Sequence, residues 1–344
     1  MTTLYTTHPR YTEHDQPGHP EHAGRIRAVW KRLDESGLAA RMMAVEAKAV
    51  SPELILTVHT PAYLALLQRV SAQERMMHLD ADTYAGFGSL EIAQLSAGGA
   101  VDAVDAVLSG RADNGLAAVR PPGHHAMPDY GMGFCLLGNI AIAARYAQKQ
   151  YGLERILIVD YDVHHGNGTE AMFYDDPSVL FISTHQFPLY PGTGAVTDIG
   201  AGKGAGFNIN IPLPPGCGDA NYARVFEDVI WKAAERFQPQ LILVSAGFDA
   251  HWTDPLAAMR LTLNGYAHLT SEVMKMADRL CGGKIVFVME GGYDLDALSY
   301  GVCNIARILL GDTPIDPLGA APMARTEPDI GSLIALLKKL HRLD

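Results

Sequence analysis

The stretch 156–167, ILIVDYDVHHGN, joins four consecutive apolar residues to a cluster of acidic and imidazole side chains. An unbroken run of Ile, Leu and Val is typical of a strand that is buried on both faces, as in a parallel sheet. The polar residues that follow then lie at the carboxyl end of that strand, which is the edge where open α/β sheets bind ligands. The stretch therefore predicts both a buried sheet and a site beside it.

Apolar runs of the same kind recur along the chain. They span residues 116–119, 179–183, 207–211, 241–245 and 285–289, with two shorter candidates at 4–5 and 42–45. Segments with helical spacing lie between them, at residues 22–35, 89–108, 136–150, 219–236 and 264–279. This alternation predicts an α/β fold with a parallel sheet. Pro and Gly residues are scattered and mark no linker, so we expect residues 1–344 to form a single domain.

Composition narrows the class of function. The 344 residues include 27 Lys+Arg and 38 Asp+Glu, which gives a formal charge of −11. That balance argues against non-specific nucleic-acid binding, which needs a basic surface, and is compatible with a cationic substrate. Residues 1–11 have no signal-peptide pattern, and no apolar run reaches the roughly 18 residues of a membrane-spanning helix. We therefore expect a soluble, cytoplasmic protein without a membrane partner.

The residues after the run 156–159 have the pattern of a metal site. Asp162 and His164 occupy alternate positions, so both side chains can point at one atom. Carboxylates and imidazoles bind zinc, and a catalytic zinc takes three protein ligands and a water. Asp249, which follows another apolar run, is a candidate third ligand. The alternative is structural, because a D-x-H segment can form a hydrogen-bonded turn and Asp249 can cap a helix.

The histidine pair His124-His125 also follows a predicted strand, on a loop that residues 121–123 (PPG) restrict. Imidazoles titrate near neutral pH and suit general acid–base catalysis. Asp160 and Asn167 flank the proposed ligands, and each can accept a hydrogen bond from one histidine. An anionic partner favours the imidazolium more strongly than a neutral one does, so the two histidines are expected to differ in pKa.

Two further motifs are candidates for substrate contacts. In residues 290–293 (EGGY), the paired glycines let the chain bend, and the Tyr293 hydroxyl can donate to an oxyanion. The alternative is a tyrosine that packs in the core. Tyr190 and Phe134 lie on glycine-rich loops, where they can line a narrow apolar tunnel or anchor their own loops.

Several tracts together resemble the zinc-dependent histone deacetylase and acetylpolyamine amidohydrolase superfamily. They are 120–125 (RPPGHH), 160–168 (DYDVHHGNG), 190–194 (YPGTG), 246–249 (AGFD) and 290–293 (EGGY), within a similarity that extends from about residue 8 to residue 311. Asn167 and residues 247–249 look most like class II deacetylases and bacterial deacetylase-like amidohydrolases. The resemblance implies a three-layer α/β/α arginase/deacetylase fold with a mostly parallel sheet of about eight strands.

The resemblance also implies roles for residues in these tracts. The implied zinc ligands are Asp162, His164 and Asp249. The implied catalytic groups are His125 with Asn167 as general base and acid, His124 with Asp160 as an electrostatic pair, and Tyr293 as the oxyanion donor. The implied walls of an acyl-lysine tunnel are Gly133, Phe134 and Tyr190.

A structural monovalent cation, K⁺ or Na⁺, is a further implication of the resemblance. One site would use carbonyls of Asp160, Asp162, His164 and Thr184 with the Ser183 hydroxyl. A second would use carbonyls near Phe173, Asp176, Val179 and Phe207.

Substrate selection depends on positions outside the shared tracts. The implied partners are small acetylated amines and acetyl-lysine peptides, and homo-oligomers are possible in this superfamily. Leu256 stands where polyamine-preferring class II enzymes carry a Glu gatekeeper, which favours acyl-lysine or broad acyl-amide substrates. The loops at 7–22 and 78–89 are expected to set selectivity, with Asp82 as a candidate hydrogen-bond acceptor for a substrate backbone.

Three functions therefore compete. The leading one is a zinc amidohydrolase acting on acetyl-lysine or, alternatively, on acetylpolyamines. A ureohydrolase shares the fold class but needs two Mn²⁺ and extra carboxylates, as in D-x-H-x-D, and the residue two beyond His164 is Gly166. A catalytically silent acyl-lysine-binding module is the third, and the presence of Tyr293 and both histidines argues against it.

Overall fold

The computed structural model describes residues 1–322 and 326–343. Its strands are β1 (Thr3–Thr7), β2 (Met43–Glu46), β3 (Met77–His78), β4 (Tyr84–Ala85), β5 (Asn114–Ala117), β6 (Ile156–Asp160), β7 (Val179–Gln186), β8 (Asn208–Leu213), β9 (Leu241–Ala246) and β10 (Ile285–Met289). Eight of them form one sheet in the order β2-β1-β5-β10-β9-β6-β7-β8, and every neighbouring pair is parallel. The predicted parallel α/β sheet is confirmed. Strands β3 and β4 form a separate antiparallel pair in the predicted entrance loop.

Helices cover both faces of this sheet. They are α1 (Gly24–Glu35), α2 (Pro52–Ile55), α3 (Pro61–Ser71), α4 (Ser89–Leu108), α5 (Asn139–Tyr151), α6 (Asn167–Phe173), α7 (Asp219–Val225), α8 (Trp231–Phe237), α9 (Leu263–Cys281), α10 (Leu295–Leu309) and α11 (Gly331–His341). Helices α4 and α5 pack together in one layer, and α1, α9 and α10 pack together in the other. The central strands β6, β9 and β10 are buried at every position, which explains their unbroken apolar runs.

Among the differences from the sequence-based boundaries, three have a clear structural reason or change the element itself. Strand β5 begins two residues earlier than expected, because Asn114 and Gly115 pair with β1 although they lack apolar side chains. Strand β8 continues beyond the expected end at residue 211 and includes Pro212, because β8 lies at the edge of the sheet, where a proline can leave its missing N–H on the unpaired side. The helix expected at 219–236 is divided into α7, a π-helical segment (Phe226–Ile230) and α8.

The order of the strands places the site. Strands β10, β9, β6 and β7 are consecutive neighbours in the sheet, although they follow one another in the chain in the order β6, β7, β9, β10. Asp160 at the end of β6 pairs with Ser245 of β9 and with Ser183 of β7. Because all these strands run in one direction, the segments that follow them meet at one edge.

Candidate metal centre and active site

An acidic and imidazole cluster forms at the carboxyl ends of β6 and β9. Ligand atoms of Asp162, His164 and Asp249, here called the metal cluster, lie within 4.8 Å of one another. His164 Nδ1 is 3.1 Å from Asp162 Oδ1 and 3.3 Å from Asp249 Oδ2, and both carboxylates are completely buried. The backbone amide of Val163 donates to Asp249 Oδ1 at 2.8 Å, which ties the two loops together. The structure thus brings the three residues of two separate motifs to one point.

The metal cluster has the charge and shape of a cation site. The buried Asp249 Oδ2 accepts no hydrogen bond, and burial together with the Asp162 carboxylate raises the pKa of Asp249. Two carboxylates are costly to bury together in ionised form without a positive partner. Glycines make room for them, since a Cβ on Gly291 would lie 2.1 Å from Asp249 Oδ2 and one on Gly247 would lie 2.1 Å from Asp162 Oδ2. Two carboxylates and one imidazole are a donor set that suits a divalent metal such as Zn²⁺.

His124 and His125 lie beside this cluster, with ring centroids 4.0 Å apart. His124 Nδ1 donates to Asp160 Oδ2 at 3.0 Å. His125 Nδ1 donates to Asn167 Oδ1 at 2.7 Å. Burial lowers the pKa of His124, but the carboxylates of Asp162 and Asp160 outweigh it and hold that pKa well above its ordinary value. Burial and the positive charges of the neighbouring histidines put the pKa of His125 well below its ordinary value, so the two imidazoles favour different protonation states.

Glu290 holds the loop that carries the histidine pair. Its Oε2 accepts hydrogen bonds from the backbone amides of Gly123 at 2.7 Å and His124 at 3.2 Å, and its Oε1 accepts one from the Ser245 hydroxyl at 3.3 Å. Glu290 is completely buried, and burial raises its pKa to about 7. No local pattern indicates this role, because Glu290 is 167 residues from Gly123 in the chain.

Tyr293 approaches the metal cluster from the loop after β10. Its ring packs edge-on against Phe134, with centroids 5.8 Å apart, and the Arg25 guanidinium lies 5.1 Å from its ring centroid. The Tyr293 amide donates to Asp254 Oδ2 at 2.8 Å. Burial holds the pKa of the Tyr293 hydroxyl well above its ordinary value, against an opposing effect of Arg25, so the hydroxyl stays protonated and can donate. Burial and the Asp249 carboxylate raise the pKa of Asp254 to about 7.

A cavity of 520 Å³ leads from the surface to these groups. The residues that line it include His125, His164 and Tyr293. All five residues that the sequence predicted as substrate contacts line it: Asp82, Gly133, Phe134, Tyr190 and Leu256. Three polar residues of the entrance loops also line it, although no sequence motif marks them: Gln16, His19 and His78.

Local backbone geometry shapes the wall of this cavity. Phe134 has a φ of 68°, an uncommon conformation for a residue with a side chain, and Gly133 before it has a φ of 55°. A Cβ on Gly133 would lie 2.4 Å from the His125 ring, so only glycine lets this loop pass so close to the histidine. Tyr190 stands at the rim, where 36% of it is exposed.

The residues predicted to bind a monovalent cation lie on and beside neighbouring strands. Asp160 pairs with Ser183 across β6 and β7, and the Thr184 hydroxyl donates to the Asp160 carbonyl at 3.4 Å. The second set lies near the amino ends of β7 and β8 and comprises Phe173, Asp176, Val179 and Phe207. Both cation sites stay predictions.

A second buried charged cluster lies behind residues 290–293, and the sequence did not point to it. The arginine cluster consists of Glu21, Arg25 and Arg120. Glu21 Oε1 accepts from Arg120 Nε at 2.6 Å and from Arg25 Nη1 at 3.1 Å, and Glu21 Oε2 accepts from Arg120 Nη2 at 2.8 Å. Arg25 also donates to the carbonyls of Gly292, at 2.8 Å, and of Glu290. The cluster therefore supports the backbone that carries the tyrosine.

The parallel α/β/α sheet thus carries a buried carboxylate–imidazole cluster and a histidine pair at its carboxyl edge. Comparison with known proteins names the family. The histone deacetylase domain family matches residues 19–309, and the chain belongs to the histone deacetylase family.

Two relatives and one solved structure show the extent of the similarity. Over 315 residues, covering 90% of this chain and 87% of the relative, it is 44% identical to a "Probable deacetylase" of Archaeoglobus fulgidus. It is 46% identical to the "Histone deacetylase-like amidohydrolase" of Pseudomonas aeruginosa over 294 residues, covering 85% of this chain and 76% of the relative. The crystal structure of the HDA15 HD domain superposes with a TM-score of 0.90 at 35% identity, covering 99% of this chain and 96% of the other. Within the described residues, helices long and apolar enough to cross a membrane are absent.

Proposed function

We propose that this protein is a zinc-dependent deacetylase that removes acetyl groups from acetylated amines such as acetyl-lysine. One observation carries the proposal: His164 of the metal cluster, His125 and Tyr293 line one cavity, and His124 lies against His125 beside them. Each group alone has a structural explanation. Their convergence matches the needs of amide hydrolysis, which requires an activated water, a proton acceptor and donor, and a partner for the oxyanion.

Asp162, His164 and Asp249 would hold the metal, with their two negative charges balancing it. Bound there, zinc would polarise the substrate carbonyl and make the attacking water more acidic. The glycines at positions 247 and 291 would let both carboxylates approach without steric conflict.

His125 would move the proton. Its Nδ1–H is engaged by Asn167, which leaves Nε2 as the acceptor, and its low pKa keeps the imidazole neutral until the water attacks. As the carbon–nitrogen bond breaks, the same nitrogen would give its proton to the departing amine. His124, which Asp160 and Asp162 favour in the cationic form, would stabilise negative charge beside it.

Tyr293 would donate a hydrogen bond to the carbonyl oxygen as that oxygen becomes negative. The raised pKa of its hydroxyl keeps the donor proton in place at neutral pH. Loss of one such donor typically costs roughly 3–4 kcal/mol of transition-state stabilisation.

The cavity supports a linear acyl-amine as substrate. Phe134, Tyr190 and Leu256 offer apolar surface for an alkyl chain, and Asp82 at the rim can accept a hydrogen bond or face a positive charge. The neutral Leu256 favours acetyl-lysine over acetylpolyamines, because it offers no negative charge to the ammonium group of a polyamine.

The test is a comparison of two substrates with the zinc-loaded enzyme, an acetyl-lysine peptide and N-acetylputrescine, each with and without a chelator. We expect chelator-sensitive release of acetate, faster from the peptide. Faster turnover of N-acetylputrescine would instead make the protein an acetylpolyamine amidohydrolase. Turnover of neither substrate, or turnover that chelation does not reduce, would contradict the proposal.

A further inference from the structure

We infer that Asp254 is a positioning residue that fixes the oxyanion donor Tyr293 and the cavity residue Leu256 relative to each other. The inference rests on the proposed deacetylase function. Asp254 does not line the cavity, and it acts through the backbones of residues that do.

The contacts of Asp254 are all with backbone donors. Its Oδ2 accepts from the amide of Tyr293 at 2.8 Å and from that of Asp294 at 3.4 Å. Its Oδ1 accepts from the amide of Leu256 at 2.9 Å. Asp254 is only 7% exposed, so these donors replace water around most of the carboxylate. One side chain thus bridges the loop after β9 and the loop after β10.

The loop after β10, which carries Gly292 and Tyr293, depends on contacts from other parts of the chain. Gly292, directly before Tyr293, has a φ of 116°, which glycine adopts readily because it has no Cβ, and a glycine restricts its own backbone less than other residues do. Arg25 holds the carbonyl of Gly292, and Asp254 holds the amide of the next residue. Because a donor contributes fully only near its ideal position, a small displacement of this loop weakens the oxyanion contact.

The leucine end of the bridge affects substrate binding instead. Leu256 lines the cavity, and its backbone amide donates to Asp254 Oδ1 within this turn. Asp254 therefore links a residue that would act on the transition state with one that would contact the substrate chain.

The substitution Asp254→Asn tests this arrangement with almost no change of shape. An asparagine keeps one accepting oxygen but turns the other atom into an N–H donor, which then faces a backbone N–H. One end of the bridge must open. We expect a kcat about 10- to 100-fold lower for the acetyl-lysine peptide, the range typical when a supporting contact of an active-site group is lost.

A double-mutant cycle distinguishes positioning from a general structural role. If Asp254 acts on kcat through Tyr293, the substitution D254N should change kcat by less than about 3-fold in the Y293F background, since the hydroxyl it positions is already absent. The same fold-loss in both backgrounds would overturn the inference. The matched control is D316N: Asp316 also accepts from backbone amides, those of Leu318, Gly319 and Asn264, but lies outside the cavity lining. We expect D316N to leave kcat unchanged.

Amide hydrogen exchange gives a readout that is independent of turnover. In D254N the amides of Tyr293 or Leu256 should exchange faster than in the wild type, while zinc content stays the same. Unchanged exchange at both amides would overturn the inference even if activity fell. A wild-type protein without turnover on the acetyl-lysine peptide would contradict the proposed function itself and the catalytic part of this inference with it, whereas the exchange comparison would still decide whether Asp254 anchors the two loops.

Discussion

The arginine cluster and the metal cluster both consist of buried charged side chains near the same edge of the sheet, but their carboxylates differ in their partners. In the arginine cluster, both oxygens of Glu21 accept hydrogen bonds from guanidinium groups. In the metal cluster, two carboxylates converge and one oxygen of Asp249 accepts no hydrogen bond. The first cluster is complete within the chain, and the second has the composition of a site that needs a cation.

The pKa values of the carboxyl groups express this difference. Burial raises the pKa of Glu21, but Arg120 and Arg25 outweigh it and bring it down to about 2. Burial and the Asp162 carboxylate raise the pKa of Asp249. Folding therefore favours the ionised form of Glu21 and disfavours the ionised form of Asp249. In the arginine cluster the removal of one partner would leave a buried charge unpaired, whereas in the metal cluster a metal ion can supply the partner that Asp249 lacks.

Asp249→Asn should break the metal cluster with the largest effect on activity. We expect loss of stoichiometric zinc and a fall in kcat/KM on the order of 10³-fold or more, because a bound metal supplies several kcal/mol of transition-state stabilisation. In the chelated protein, the free energy of unfolding should not decrease, since the variant removes one of two facing carboxylates and its oxygen can still accept from Val163. Metal analysis, turnover and denaturant unfolding check these points. A variant that retains zinc and turnover would contradict the assignment.

Glu21→Gln should break the arginine cluster and act on stability. It leaves two buried guanidinium groups without their carboxylate, which costs roughly 3–5 kcal/mol in comparable buried pairs. Denaturant unfolding of the zinc-loaded protein measures this loss. The control is Glu91→Gln, which removes an exposed partner of Arg10 and should cost less than about 1 kcal/mol.

The wild type and E21Q also provide a test of the pH dependence of stability. Because folding lowers the pKa of Glu21 from 4.5 to about 2, its contribution to stability is complete above pH 4.5 and is lost as the pH falls towards about 2. The difference in unfolding free energy between wild type and E21Q should therefore shrink over that interval. A difference that is independent of pH would mean that the Glu21 charge does not provide the stabilisation.

Tyr293→Phe should have the smallest effect of the three substitutions, and its ring lies against Arg25 of the arginine cluster. The ring stays, with its contacts to Phe134 and Arg25, so folding and zinc content should be unchanged. Loss of the hydroxyl should lower kcat about 10²-fold with little change in KM, because the hydroxyl bonds the oxyanion more strongly than the ground-state carbonyl. A variant with wild-type kcat would remove Tyr293 from the reaction.

Much of the fold was predictable because it depends on near neighbours. Consecutive apolar residues at 156–159 and 285–289 indicated strands buried on both faces, and both lie in the centre of the sheet. The alternate spacing of Asp162 and His164 put both on one side of the chain. Two strand boundaries were predicted wrongly because the side chains did not indicate a strand. Gly115 has no apolar side chain, but its backbone pairs with β1. Proline usually ends a strand, but Pro212 lies in the edge strand β8.

The sequence alone determined which segments become buried strands and which polar residues follow them, because these properties arise from local spacing and from the side chains themselves. Only the tertiary structure decided that Asp249 meets the loop of Asp162, that Asp254 reaches Tyr293, and that Glu21 joins Arg120 from 99 residues away. These contacts depend on the order of strands in the sheet, which the packing of the whole chain selects. Whether a buried carboxylate is compensated is likewise a property of neighbours that the chain brings together only when folded.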